Sequence, residues 1–140
     1  MTEIVEKDLS YLIVQIGYEV INELGPGFDE DIYENAMVIL LKKRNHIVEQ
    51  QKRVKVYFQG EEVGLHKIDL IVDERIILEL KAVAEIAPVH RQQALSYLKA
   101  TGLELAMVIN FGATRLQVAR VVNTKQKENS RNSPFSRLSR

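Results

Sequence analysis

Hydrophobic residues near the start of the chain recur with the spacing of an α-helix. This pattern predicts a first helix from about Leu9 to Leu24, which Gly25-Pro26-Gly27 ends. A second helix is predicted from about Glu30 to Arg44, with Asp29 as its N-cap. The positions predicted to face the core from these two helices are Leu9, Leu12, Ile13, Ile16, Val20, Leu24, Ile32, Tyr33, Ala36, Met37, Leu40 and Leu41.

The pattern then changes to the alternation of apolar and polar residues that is typical of β-strands. Strands are predicted at 53–58, 63–72, 75–83, 104–110 and 116–122, with a turn at 60–62. A third helix is predicted from Pro88 to about Gly102, because proline favours the first turn of a helix and glycine its end. The order α, α, β, β, β, α, β, β predicts a mixed α/β fold with helices on the faces of a hairpin-rich sheet.

The most apolar segment of the chain is IDLIVDERIILELKAV, at 68–83, yet its predicted strands carry the charged residues Asp69, Glu79 and Lys81. Buried charges are costly unless they are paired or bind a ligand. The even-numbered positions of both strands are all apolar, whereas the three charges stand at odd-numbered positions. Since side chains alternate across a strand, one face of this hairpin is expected to form the core and the other to carry the charge.

The connection between these two strands decides which residues face each other. A two-residue turn at 73–74 would place Asp69 opposite Leu78 and would mix apolar with polar positions. A three-residue loop at 73–75 places Asp69 opposite Glu79 and matches the apolar positions across the hairpin. Because a slip of one residue would expose the whole apolar set, the pattern predicts the three-residue loop.

Two carboxylates that face each other across a hairpin repel, unless a cation lies between them. Oxygen ligands of this kind suit Mg²⁺ or Mn²⁺. Lys81 lies on the same predicted face, where it could hold a water molecule or an anionic oxygen beside the metal. This set of groups suits metal-assisted hydrolysis of a phosphodiester. The alternative interpretation of the same charges is a structural ion pair.

Three motifs, taken in order, make the chain resemble a known group of enzymes. Asp69 followed by Glu79-Leu80-Lys81 resembles the PD-(D/E)xK nuclease superfamily, and residues 27–33, GFDEDIY, fit the signature of its GxxExxY family. Residues 93–97, QALSY, fit the QxxxY motif of the recombination-exonuclease branch. The segments ELGPG (23–27), PVHRQQALSYLKATG (88–102) and INFGA (109–113) also look like the GxxExxY family, so the resemblance covers roughly 8–123.

The resemblance implies an αβββαβ nuclease core, here preceded by an extra helix, and a divalent-metal site. Carried over by position, Asp69 and Glu79 match the metal ligands, and Leu80 would offer its backbone carbonyl as another ligand. Lys81 matches the catalytic lysine of the superfamily. The resemblance thus implies the chemistry that the facing carboxylates also suggest.

Three helical residues complete the site that the resemblance implies. Gln93 and Tyr97 lie at i and i+4, on one face of the third helix, and match the motif beside the metal site. Superfamily members often use a helical glutamate near the metal, and here either Glu30 or Glu34 could take that place. Glu34 is preferred as a catalytic residue and metal ligand, because it follows Tyr33 and lies deeper in the helix.

Composition indicates an ordinary globular protein, with 46% hydrophobic and 27% charged residues. The chain contains no cysteine, which excludes disulfides and thiolate metal sites. It has neither an apolar run long enough to span a membrane nor the layout of a signal peptide at its start. A cytoplasmic location and no membrane partner are therefore expected.

Charge is distributed unevenly along a chain whose formal net charge is zero. Residues 1–123 are predicted to form one domain, whereas 124–140 hold five cations and one anion and are predicted to be a disordered basic tail. The interpretations of the tail are a solubilising segment or a weak grip on phosphate backbones.

The leading hypothesis is a small Mg²⁺- or Mn²⁺-dependent nuclease that acts on DNA, with RNA as the other candidate substrate. The alternative is a catalytically inactive nuclease-fold module that binds nucleic acid or a protein partner. The oligomeric state is left open, although by analogy a nuclease of this size often uses a homodimer to grip a duplex.

Overall fold

A computed structural model describes residues 4–124 and confirms the predicted order of elements. The helices are α1 (Lys7–Leu24), α2 (Glu30–Lys43) and α3 (Pro88–Thr101), and the strands are β1 (Val48–Phe58), β2 (Glu61–Val72), β3 (Ile76–Lys81), β4 (Leu105–Asn110) and β5 (Gln117–Val122). The largest difference from prediction is that β1 begins five residues earlier than expected, at Val48 instead of Arg53. The predicted basic tail lies outside the described residues except for Thr124.

The five strands form one mixed sheet in the order β1-β2-β3-β4-β5. All neighbouring strands are antiparallel except β3 and β4, which run parallel and are connected through α3. This arrangement confirms the predicted α/β fold class. No helix within residues 4–124 is both long and apolar enough to cross a bilayer.

The sheet is covered on both faces, so the domain has two hydrophobic cores. On one face, α1 and α2 pack against side chains such as Leu70 and Leu78. On the other face, Ala94, Tyr97 and Leu98 of α3 pack against a second set of apolar side chains from the strands. This set comprises Ile68, Ile71, Ile77, Ala106, Val108 and Ala119.

The expectation that one face of the β2–β3 hairpin is core and the other carries the charge is therefore wrong in part. Ile71 and Ile77 stand at odd-numbered positions on the face predicted to be charged, but both are buried against α3. The reason is that α3 covers this face near the turn. Only the part of the hairpin farther from the turn carries the charged groups.

Strand alternation is interrupted at Asp69. Ile68 packs in the α3 core, whereas Leu70 and Val72, also even-numbered, pack in the α1–α2 core. In the neighbouring strand β1, Gln51 has a positive φ of 54°. The two strands thus change faces at the same level, which frees Asp69 from both cores.

Beyond this level, β1 and β2 continue as a two-stranded arm, defined here as residues 53–67. β3 pairs with β2 only from Leu70 to Val72, whereas β1 pairs with β2 as far as Phe58 and Glu61. Most side chains of the arm are exposed. The arm therefore projects past the edge of the sheet, alongside α3.

The connection between α1 and α2 is held by the buried side chain of Tyr33. Its hydroxyl donates to the carbonyl of Gly25 at 2.7 Å and accepts from the amide of Phe28 at 3.2 Å. Its ring stacks on Phe111, after β4, with centroids 4.5 Å apart. Gly27 within this connection has a φ of 105°, which favours glycine. The GxxExxY segment thus fixes the start of α2 against the end of the sheet.

We expect Tyr33→Phe to lower the free energy of unfolding by about 1–3 kcal/mol, because it removes one donor and leaves a backbone amide without its acceptor. Urea unfolding followed by circular dichroism measures this change. Tyr18→Phe, on the exposed surface of α1, is the matched control and should leave stability unchanged. Equal stabilities of the two variants would contradict the role assigned to the Tyr33 hydroxyl.

Candidate active site

The hairpin between β2 and β3 has the predicted register. Leu70 pairs with Leu78, and Val72 pairs with Ile76, so that three residues, 73–75, form the connection. The backbone amide of Arg75 donates to the carbonyl of Val72 at 2.9 Å and closes the turn. Continued by one position, this register places Asp69 opposite Glu79.

The two strands part at this position, and the carboxylates take the place of the missing ladder bonds. The backbone amide of Asp69 donates to Oε2 of Glu79 at 3.1 Å. The backbone amide of Leu80 donates to Oδ2 of Asp69 at 2.9 Å. Each carboxylate therefore binds an amide of the opposite strand, which holds the two acidic groups together at a fork in the sheet.

A third carboxylate, Glu34 of α2, lies beside this pair. Glu34 is 6% exposed and accepts hydrogen bonds from Nε2 of Gln50 at 2.7 Å and from Nε2 of Gln51 at 2.9 Å. The same Gln51 nitrogen lies 3.5 Å from Oδ1 of Asp69 and so links the two acidic groups. Glu30 is exposed. Of the two helical glutamates, the structure therefore places Glu34 at the fork.

Burial and nearby negative charge raise the pKa values of Asp69 and Glu79. Burial, and then the charge of Asp69, raises the pKa of Glu79 to about 8. Burial also raises the pKa of Asp69, and the charge of Glu34 adds to this effect. The fork thus resists holding its full negative charge without a cation.

Lys81 lies two residues beyond Glu79, at the end of β3 and opposite Asn110 of β4. Its positive charge lowers the pKa values of both Asp69 and Glu79, which partly offsets burial. Within residues 4–124, no ion pair includes Lys81. A structural ion pair therefore does not account for the lysine, whose ammonium group is left available at the fork.

The two residues of the QxxxY segment lie in different surroundings. Tyr97 is buried in the α3 core, and burial together with the charges of Glu79 and Asp69 raises its pKa to about 12. Gln93, one turn earlier, is exposed. The charges of the two carboxylates therefore act on Tyr97, whereas Gln93 lies on the exposed side of α3.

Sequence reasoning missed the two glutamines that hold Glu34. Their role follows from their position in β1, where Gln50 pairs with Leu70 and Gln51 stands across from Asp69 in the same register. The longer β1 is what brings them to the fork. An adjacent pair of amides at the edge of a predicted acidic site is the feature that could have identified them.

Asn110 is a second residue that sequence reasoning missed, although it belongs to the INFGA segment. It is fully buried, and its Oδ1 accepts from the amides of Val83 at 2.9 Å and of Gly112 at 3.0 Å. Its Nδ2 donates to the carbonyl of Val83 at 2.9 Å and to Gln117 at 3.0 Å. Asn110 thus anchors the chain that follows Lys81.

The oxygen atoms at the fork suit a small divalent cation held by few protein ligands. In the described part of the chain, no three His, Asp or Glu side chains form a ready metal cluster. Both oxygens of Glu34 accept hydrogen bonds from glutamine amides. Asp69 and Glu79 nevertheless offer two adjacent carboxylates. Mg²⁺ is often bound by one or two carboxylates, with water and substrate phosphate as the other ligands.

Comparison with known proteins gives the family context of this geometry. A family model described as the PD-(D/E)XK nuclease superfamily matches residues 7–121. No curated protein is significantly similar to the chain in sequence.

Two solved structures share the fold. The crystal structure of SSO0001 is 17% identical, with a TM-score of 0.53, over 78% of this chain and 55% of that one. An alkaline exonuclease from Laribacter hongkongensis is 11% identical, with a TM-score of 0.50, over 89% of this chain and 73% of that one. The chain therefore spans about half the length of SSO0001, and at these identities the likeness shows the fold alone.

Gly112→Ala should destabilise the protein by roughly 1–3 kcal/mol through overpacking. A Cβ at this position would lie 2.5 Å from backbone atoms of Ala82 and Val83, in the chain that follows Lys81. Gly64→Ala, where a Cβ meets no atom within 4 Å, is the matched control and should unfold like wild type. Thermal unfolding of the two variants measures the difference, and an unchanged midpoint for Gly112→Ala would contradict the close approach.

Without metal, the stability of the protein should fall as pH rises from about 4.5 to about 8. Across this range the folded protein keeps a proton on Glu79 that the unfolded chain, with its ordinary pKa of 4.5, has released. The contribution is fully present below pH 4.5 and is lost as pH rises through the folded pKa.

Glu79→Gln should therefore match wild type near pH 4.5 and exceed it near pH 9, by on the order of a few kcal/mol. Urea unfolding in EDTA at several pH values measures this difference. Glu85→Gln, an exposed position in the next loop, serves as the control. A Glu79→Gln variant that is less stable at every pH would show that the carboxylate belongs to a favourable network.

Proposed function

Since the chain belongs to the PD-(D/E)XK nuclease superfamily, we propose that it is a metal-dependent nuclease that hydrolyses phosphodiester bonds in DNA, with RNA as the other candidate substrate. The observation that supports this most is the pair of facing carboxylates, Asp69 and Glu79, each bound to a backbone amide of the other's strand. Lys81 stands beside them without an ion-pair partner in residues 4–124. Two adjacent carboxylates and a lysine are the groups that metal-assisted phosphate hydrolysis needs.

The proposed ligands of Mg²⁺ or Mn²⁺ are the carboxylates of Asp69 and Glu79 and the carbonyl of Leu80. Proteins of this superfamily generally use divalent metals. The high pKa of Glu79 supports the assignment, because a cation beside the pair would offset the burial and the repulsion that raise it. When bound, such a metal polarises the phosphate and makes its bound water more acidic.

The chain's own residues have separate tasks in this proposal. Lys81 holds the attacking water and stabilises the negative charge that develops on the phosphate oxygens. Tyr97 and Gln93 orient the lysine or a substrate phosphate from α3. Glu34, through its glutamine partner Gln51, fixes the position of Asp69 and takes part in metal binding as the resemblance implies.

Finer assignments follow from the same residues. We assign the chain to the GxxExxY family on Gly27, Glu30 and Tyr33, whose glycine and tyrosine have clear structural tasks. The fold shared with the alkaline exonuclease is in keeping with a nucleic-acid substrate.

We place the protein in the cytoplasm, as expected of a chain without cysteine, and propose a homodimer as the form that would grip a duplex.

Calorimetric titration with Mn²⁺ should show saturable binding to wild type that is lost in Asp69→Ala, because that variant removes a proposed ligand. In Mg²⁺, wild type should cleave labelled oligonucleotides, and EDTA should stop the reaction. Lys81→Met should bind Mn²⁺ but cleave about 10²–10³ times more slowly, as expected when a group that stabilises the transition state is removed.

Glu85→Gln is the control for both measurements, since this exposed side chain lies outside the fork. Absence of Mn²⁺ binding to wild type, even with an oligonucleotide present, would contradict the nuclease proposal. The fold would then be a catalytically inactive module that binds nucleic acid or a protein partner.

A further inference from the structure

A groove of about 370 Å³ separates the arm from α3. Its lining residues are Lys55, Val56, Tyr57, His66, Ser96, Lys99 and Ala100. The arm contributes one wall and the exposed side of α3 the other. None of these residues belongs to the fork, so the site proposed above does not account for them.

The groove combines cations with an aromatic ring and hydrogen-bonding groups. Lys55 and Lys99 bring positive charge from opposite walls, and Tyr57 is 60% exposed. The Ser96 hydroxyl lies 3.4 Å from Nε2 of His66. Lysine ammonium groups attract phosphate, and an exposed aromatic ring offers a surface on which a base can stack. This combination of groups fits a nucleotide.

The positive charge of the groove is available to a ligand. The contact of Lys55 with Glu62 is long, 3.6 Å, and both side chains are largely exposed, so that it contributes little. Lys99 takes part in no ion pair among the described residues. At the end of the arm nearest the fork, Arg53 lies directly across the strands from Lys67. A nearby anion would relieve the repulsion between these two positive charges.

The groove lies next to the fork. The ring of His66 makes an edge contact with Tyr97, with centroids 4.5 Å apart, and the charges of Glu79 and Asp69 raise the pKa of Tyr97 in addition to burial. His66 also precedes Asp69 by three residues in β2, which corresponds to roughly 10 Å along an extended strand. A chain that occupies the groove would therefore pass the fork within a nucleotide or two.

We propose that this groove binds one nucleotide of a single-stranded segment of nucleic acid, with the phosphate between Lys55 and Lys99 and the base against Tyr57. The inference rests on the proposed function, since it assigns the strand that enters the fork. The volume is that of a small-ligand cleft and admits a single nucleotide, whereas a duplex does not fit. The groove thus selects unpaired strands or frayed ends as substrates.

Fluorescence anisotropy with a labelled single-stranded DNA oligonucleotide tests the groove. All binding is measured in EDTA, and every variant also carries Glu79→Gln, which we call the background. Both conditions prevent cleavage, and Glu79→Gln reduces the repulsion between the DNA and the fork. Lys55→Ala combined with Lys99→Ala should weaken binding and lower the slope of log affinity against log salt by about 0.7, the value for one phosphate contact on a single strand. Tyr57→Ala should weaken binding about 5- to 150-fold, with the salt slope unchanged.

Two matched controls separate the groove from general charge and surface area. Lys42→Ala combined with Lys43→Ala removes the same charge from exposed positions in α2, on the opposite side of the sheet. Phe58→Ala removes a neighbouring aromatic ring that is 65% exposed and lies outside the groove. Both controls should bind like the background, and all variants should unfold at the same urea concentration.

Different outcomes overturn different claims. If the groove variants bind like their controls while wild type cleaves in Mg²⁺, the groove assignment is wrong and the nuclease proposal stands. If wild type does not cleave but the groove variants lose binding as expected, the groove stands and catalysis is wrong. A blunt-ended duplex that competes as well as the single strand would overturn the single-stranded occupant.

Discussion

The site depends on one exchange of hydrogen bonds, in which the carboxylates of Asp69 and Glu79 bind the amides that β2 and β3 no longer share. If the strands parted without this exchange, buried backbone donors would lose their partners at a cost comparable to a lost hydrogen bond. The exchange buries two acidic groups beside each other, and burial together with the charge of Asp69 raises the pKa of Glu79 to about 8. A cation is the natural complement of such a fork.

Side-chain hydrogen bonds before and after the two carboxylates hold the fork in place. Gln51, with its positive φ, links Glu34 to Asp69 and lets β1 change faces at the same level as β2. Downstream, Asn110 replaces a strand partner for Val83 and fixes the chain after Lys81. These polar groups satisfy one another, whereas Lys81 has no ion-pair partner within residues 4–124 and is the charge that the proposed function assigns to a substrate phosphate.

The carboxylates of the proposed site lower the stability of the domain when no cation is bound. Burying two carboxylates is unfavourable for the metal-free domain at neutral pH. Apolar burial in the two hydrophobic cores, one on each face of the sheet, offsets this cost. The same layout explains the flanking groove. The arm extends beyond β3 because the sheet forks, and α3 runs beneath it, so that a cationic cleft forms beside the acidic site.

The sequence by itself determined the order of elements, the three-residue loop at 73–75 and the facing of Asp69 and Glu79, because local hydrophobic periodicity fixes both element type and strand register. Only the tertiary structure decided which helices cover which face. It therefore buried Ile71 and Ile77, placed Glu34 at the fork, and brought in Gln50, Gln51 and Asn110. These outcomes depend on contacts between residues far apart in the chain, and periodicity within a segment carries no information about them.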